Sequence, residues 1–114
     1  MAQTTRQVDD IIRKYRQAAD NTRIQDPKVA NRWARVLHKL YKKLSVTDEG
    51  KESILTLLSD PSPHVRCWAA THALEWAVPI ARSVLEELRD SNGPCSFDAT
   101  IVLRELDKGR LTIW

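Results

Sequence analysis

"LLSDPSPHVRCWAATHAL", Leu57–Leu74, is the stretch on which the reading of the chain turns. A leucine pair closes one apolar run, Asp60-Pro61-Ser62-Pro63 interrupts it, and Val65, Ala69, Ala70, Ala73 and Leu74 return at three- and four-residue intervals. That is the period of a helix buried along one side. Proline lacks an amide hydrogen and biases the preceding residue away from helical backbone, so one helix must end before Pro61. Ser62-Pro63 starts the next, with a capping hydroxyl followed by a ring whose missing N–H costs nothing at the first helical position. The alanines then allow a neighbouring helix to approach closely, and a helix hairpin of this kind buries its apolar face by stacking on another.

The same punctuation recurs along the chain. Thr4 with Gln7 forms a capping box ahead of Val8, Ile11, Ile12, Tyr15, Ala18 and Ala19, predicting a first helix that ends near Asn21. Asp26-Pro27 opens a second, with Ala30, Trp33, Ala34, Leu37, Leu40, Tyr41 and Leu44 at helical spacing. A third runs from about Asp48 to Leu58, a fourth begins at Pro63, a fifth follows Val78-Pro79, and a sixth runs through Ala99, Ile101, Leu103 and Leu106 to a glycine cap at Gly109. Strand signals are nearly absent, so the expected class is all-α. With 114 residues, of which 42% are hydrophobic, the chain is read as one domain, with residues 1–25 as an N-terminal capping helix and 110–114 as a short tail ending in Trp114.

A shift of thirty residues places Leu55 on Leu85, Leu58 on Leu88, Asp60 on Asp90 and Ala69 on Ala99, and "DPKVANRWA" from Asp26 aligns with "DPSPHVRCWAA" from Asp60 once two residues are gapped. The helices thus read as three pairs. At Leu57, Leu58, Asp60, Pro61, Val65, Arg66, Ala69, Ala70 and Leu74 the chain resembles the HEAT-like families: a leucine pair, a turn with Asp and Pro, then Val-Arg and Ala-Ala ahead of a Leu. From about Asn31 to Leu111 it resembles a family of small bacterial HEAT-like proteins usually labelled as a domain of unknown function, with "VRCWAA" as the most specific piece. The last unit departs from the pattern, with Cys95-Ser96 in place of Val-Arg. The resemblance implies a short right-handed stack of about three antiparallel helix pairs, a HEAT-like α-α superhelix. It implies binding to other macromolecules rather than chemistry, and some small proteins of this type resemble immunity proteins of bacterial toxin systems.

Charge is unevenly placed. Residues 1–44 carry 11 of the 18 Lys and Arg against four acids, a net of +7, and the remaining 70 residues are net −4. Lys28, Arg32, Arg35, Lys39 and Lys42 follow the helical repeat, with Lys43 beside them, opposite Trp33, Leu37, Leu40 and Leu44. Like charges at this spacing repel by roughly 0.2–0.5 kcal/mol per pair, so helix stability alone does not select them. The plain reading is a solvated outer face; the functional reading is a docking surface for an acidic partner. A second candidate surface is the stripe His64, Trp68, Thr71 and Glu75, in which Trp68 is the expected interface anchor.

No Gly-rich phosphate loop, Cys-x-x-Cys, His-Glu-x-x-His or nucleophile elbow occurs, so no enzyme, metal or cofactor is expected. His64 and Cys67 lie one helical turn apart but lack a third ligand, and Cys67 and Cys95 are expected as free, buried thiols. The apolar runs are too short to span a membrane and the first thirty residues lack a signal-peptide core, so a cytoplasmic setting is expected. The expected function is stoichiometric binding of a protein, in particular an immunity protein neutralising a toxin domain with an acidic face. The alternative is a nucleic-acid-binding or DNA-repair module. Against it, the C-terminal half supplies Glu86, Glu87, Asp90, Asp98, Glu105 and Asp107 where a phosphate-tracking site needs further cations.

Overall fold

The first four helix starts in this protein are set by short polar side chains that satisfy amides the helix itself cannot, whereas the last two begin at Ala77 and Cys95 without a side-chain cap. At Thr4 the box closes both ways: the Gln7 N–H donates to Thr4 Oγ1 at 3.1 Å and the Thr4 N–H to Gln7 Oε1 at 2.9 Å. The Lys28 N–H donates to Asp26 Oδ1 at 2.9 Å, the Gly50 N–H to Thr47 Oγ1 at 3.0 Å, and the Val65 N–H to Ser62 Oγ at 3.4 Å. The computed structural model describes residues 4–23 and 26–111. Six α-helices follow: α1 Thr5–Asn21, α2 Pro27–Leu44, α3 Asp48–Thr56, α4 Pro63–Ala73, α5 Val78–Asp90 and α6 Ser96–Asp107. The described residues contain no strand. The expected third helix is shorter than its pattern, because ahead of Pro61 the chain tightens into a 3-10 turn at Leu57–Ser59. The expected tail at Trp114 lies outside the described residues.

The sequence reads as one domain; the packing gathers the chain into two compact units, Met1–Thr56 and Leu57–Trp114. In the first, α1, α2 and α3 pack on one another. Their shared core holds Val8, Tyr15, Ala18 and Ala19 from α1, Leu37, Leu40, Tyr41 and Leu44 from α2, and Ile54 from α3. Each fully buried leucine here contributes about 1.5–3 kcal/mol through apolar area removed from water. Gly50 is what allows α3 to turn so tightly off α2. A Cβ on it would lie 2.7 Å from the Leu44 carbonyl carbon and would overlap the carbonyl oxygen.

In the second unit α4 packs on the 3-10 turn, α5 and α6, and α5 packs on α6. The turn is held by polar contacts from both sides. Asp60 accepts the Ser62 N–H at 3.0 Å, and Arg66 Nη1 reaches back from α4 to the carbonyls of Asp60 at 2.6 Å and Pro61 at 3.1 Å. Two contacts at opposite ends make α5 and α6 antiparallel. Arg82, near the start of α5, pairs with Asp107 at the end of α6 at 2.8 Å, and the Ser96 hydroxyl at the start of α6 donates to the Arg89 carbonyl near the end of α5 at 2.6 Å. Asn92, with φ +56°, ends α5 in left-handed backbone. Gly109, with φ +69°, ends α6 in a Schellman motif, with its own N–H on the Leu106 carbonyl and the Arg110 N–H on that of Glu105.

These two glycines separate crowding from backbone strain. Gly50→Ala is expected to cost about 3 kcal/mol or more, the upper end for overpacking, because the obstacle is backbone rather than a movable side chain. Gly109→Ala, with nothing within 4 Å of the added carbon, is expected to cost only about 1–2 kcal/mol of left-handed strain. Urea unfolding of both variants measures the difference.

Candidate functional site

The outer face of α2 follows from the inner one. With Leu37, Leu40, Tyr41 and Leu44 buried, the helix presents Lys28, Arg32, Arg35, Lys39, Lys42 and Lys43 outward, and all six are exposed. The structure thus places the predicted stripe together on one face of one element. Five cations elsewhere have an acidic partner: Arg13 and Lys14 on Asp10, Arg82 on Asp107 and Glu86, Arg89 on Asp90, Arg110 on Glu105. Among the described residues no carboxylate pairs with Lys28, Arg32, Arg35, Lys39 or Lys42. The first unit holds twelve Lys and Arg against seven acids, a net of +5, and the second is net −2.

A residue outside the predicted set belongs to this face. His38 is partly buried on α2, three residues after Arg35 and four before Lys42. Burial and the Lys42 ammonium both hold its imidazole below the ordinary histidine value, so it favours the neutral form. Its signal in the sequence is the i, i+4 spacing from Lys42.

The second predicted surface divides. Helix α4 ends at Ala73, so Glu75, though exposed, lies beyond its end. Thr71 is buried and its hydroxyl donates to the Cys67 carbonyl at 2.7 Å, which removes it from the surface. Helix α4 is covered by the 3-10 turn, α5 and α6, which leaves little of this part of it open. Trp68 is half-buried, with its ring centroid 5.8 Å from that of His72, a side chain fully enclosed. His64 is half-buried at the first turn of α4.

The sulfur that His64 contacts is that of Cys95. The imidazole Nδ1 lies 3.4 Å from Sγ of Cys95, the residue immediately before α6. Both cysteines are free and buried, as expected. The neighbouring Cys95 side chain, with burial adding to it, pushes the Cys67 thiol up, and Cys67 in turn draws the Cys95 thiol down against burial. Sequence reading missed this cluster because 31 residues separate His64 from Cys95. Among the described residues no three His, Cys, Asp or Glu side chains are arranged to hold a metal ion, and no helix is long and apolar enough to cross a membrane.

No protein-family profile, curated protein or solved structure matches the chain.

The His38 depression has a defined sign. In the unfolded chain His38 takes up its proton near the ordinary value of about 6.5, whereas the folded protein takes it up only at lower pH. The folded state is therefore progressively disfavoured as pH falls through that window, and His38 withdraws none of its stability above it. Proton NMR is expected to find the His38 imidazole titrating below the ordinary value, and Lys42→Gln is expected to move its midpoint upward. An unchanged midpoint in the variant would remove Lys42 as a cause.

Proposed function

We propose that this chain is a non-enzymatic protein-binding module whose α2 face docks an acidic surface of its partner. The observation that carries the reading is the run of five exposed cations from Lys28 to Lys42 without a carboxylate partner among the described residues. Holding like charges in register costs stability, and an acidic counter-surface recovers that cost on binding while speeding encounter. The acidic balance of the second unit favours a protein over a nucleic acid, since a polyphosphate would be repelled by it. Half-buried Trp68 and His64 offer a second contact region in that unit.

Within this reading the helices are units of a short right-handed HEAT-like α-α stack. The turn lock supports it, because it gives a physical reason for Asp60, Pro61 and Arg66, three of the residues that carry the family resemblance, and the antiparallel α5/α6 pair is the helix hairpin such a stack is built from. The specific role we propose is that of an immunity protein acting in the cytoplasm of a bacterium, neutralising a toxin domain by one-to-one binding.

Triple charge reversal at Arg32, Arg35 and Lys39 tests the docking face. The variant is expected to keep its helical circular dichroism, because these side chains are solvated. It is also expected to associate with the toxin encoded by an adjacent reading frame at least about tenfold more slowly, with a flatter salt dependence. Unchanged association would remove α2 from the interface. Retardation of DNA by the wild-type protein at near-physiological salt, lost in the variant and without any protein partner, would replace this reading by the nucleic-acid one.

A further inference from the structure

The basic face of α2 has a form as well as a sign. Helix α2 is 18 residues long and contains no Asp or Glu, so no acid of its own interrupts the row of exposed cations from Lys28 to Lys42. Along that row, Lys28 to Arg32 to Arg35 to Lys39 to Lys42, the steps alternate between four residues and three. We infer that the acidic surface docked by α2 is itself an α-helix, with carboxylates recurring in the same alternation along one side and apolar residues beside them. This rests on the docking reading above and adds to it the form of the partner.

Spacing carries the argument. Alternating steps average about 3.5 residues against the roughly 3.6 of an α-helix turn, so the row drifts only about 20° in seven residues and stays on one face. At about 1.5 Å per residue it runs for about 21 Å, with a cation roughly every 5 Å. A second helix whose carboxylates follow the same alternation presents them at the same pitch. The drift is also shared, and two helices crossing at about 20° keep such rows in contact along their length. An extended strand does not match. Its same-face residues lie about 6.6 Å apart, so over four steps it falls out of register by about one whole cation.

The edges of the row agree with a helical partner. Val29 and Val36, seven residues apart, are half-buried along one edge; Asn31 and His38, also seven apart, lie along the other. Burial and the Lys42 ammonium favour the neutral form of His38, so neither edge brings a negative charge against an acidic partner. The two valines leave apolar surface next to the charges, which a partner helix covers with apolar residues at its own seven-residue repeat. Solvent-exposed ion pairs contribute little singly, so the row works by steering and register while the valine edge adds contact that salt does not screen.

Three labelled peptides with equal numbers of glutamates, titrated with the full-length protein at near-physiological salt, test the inference. The first is stapled as a helix, with glutamates alternately four and three residues apart and leucines seven apart beside them. The second has the same composition and staple, with its glutamates spread evenly around the helix. The third is an unstructured Gly/Ser peptide with a glutamate at every second residue. The first is expected to bind at least about tenfold more tightly than either of the others. Charge reversal at Arg32, Arg35 and Lys39 is expected to abolish that advantage, and Val36→Ala to weaken the first peptide while leaving the other two unchanged. The wild-type comparison decides the matter even if a variant fails to fold. Equal binding of all three peptides, or tightest binding of the third, lost in either case on charge reversal, would overturn the helical partner and leave acidic docking by α2 standing. Binding by none of the three would overturn both.

Discussion

Burial of one stripe of α2 constrains the rest of the first unit. Leu37, Leu40, Tyr41 and Leu44 are all enclosed, and a helix has only one rotation about its axis that puts those four inside. That rotation directs Lys28, Arg32, Arg35, Lys39 and Lys42 to water, leaves Trp33 and His38 at the boundary, and brings the Leu44 carbonyl against Gly50 so that α3 can fold back. The basic face is therefore not a separate device added to the fold. The same apolar period that makes the core makes the surface, and the cations could be moved inward only by losing four buried side chains worth about 1.5–3 kcal/mol each.

In the second unit polar contacts determine what the apolar pattern leaves open. Small residues such as Ala69, Ala70, Ala73, Ala81 and Ala99 fill much of the interior and give little directional information by themselves. Register comes from the Arg66 reach to the Asp60 and Pro61 carbonyls, from Arg82 on Asp107 at one end of the α5/α6 pair, and from Ser96 on the Arg89 carbonyl at the other. Arg82 and Asp107 form a solvent-screened pair, so it aligns the helices more than it stabilises them. The Ser96 end of that pair carries Cys95, and the alignment is what brings its sulfur to His64.

The sequence makes helix boundaries legible wherever a cap is a local chemical event. Thr4, Asp26, Ser62 and Gly109 each act where their residue types predict, since a capping bond joins groups two or three residues apart and a left-handed glycine needs no distant partner. The α2 face is legible for the same reason: one periodic pattern determines both its sides. What sequence did not reveal depends on distance or on where a helix stops. The stripe drawn through His64, Trp68, Thr71 and Glu75 assumed a longer helix, but α4 ends at Ala73 and Thr71 turns inward. The meeting of His64 with Cys95 has no local signal, because it requires two helix starts to come together across 31 residues. Gly50 likewise looks like an ordinary helix-start residue until the Leu44 carbonyl is placed beside it.

The central claim is that the α2 cations are solvated in the free protein and covered in the complex. Lysine acetylation footprinting, read residue by residue in free and partner-bound protein, measures this directly. Lys28, Lys39 and Lys42 are expected to react freely alone and to be protected on binding, while exposed Lys108 at the end of α6 reacts alike in both states. Protection confined to Lys108, with the α2 lysines reacting equally in both states, would contradict the account.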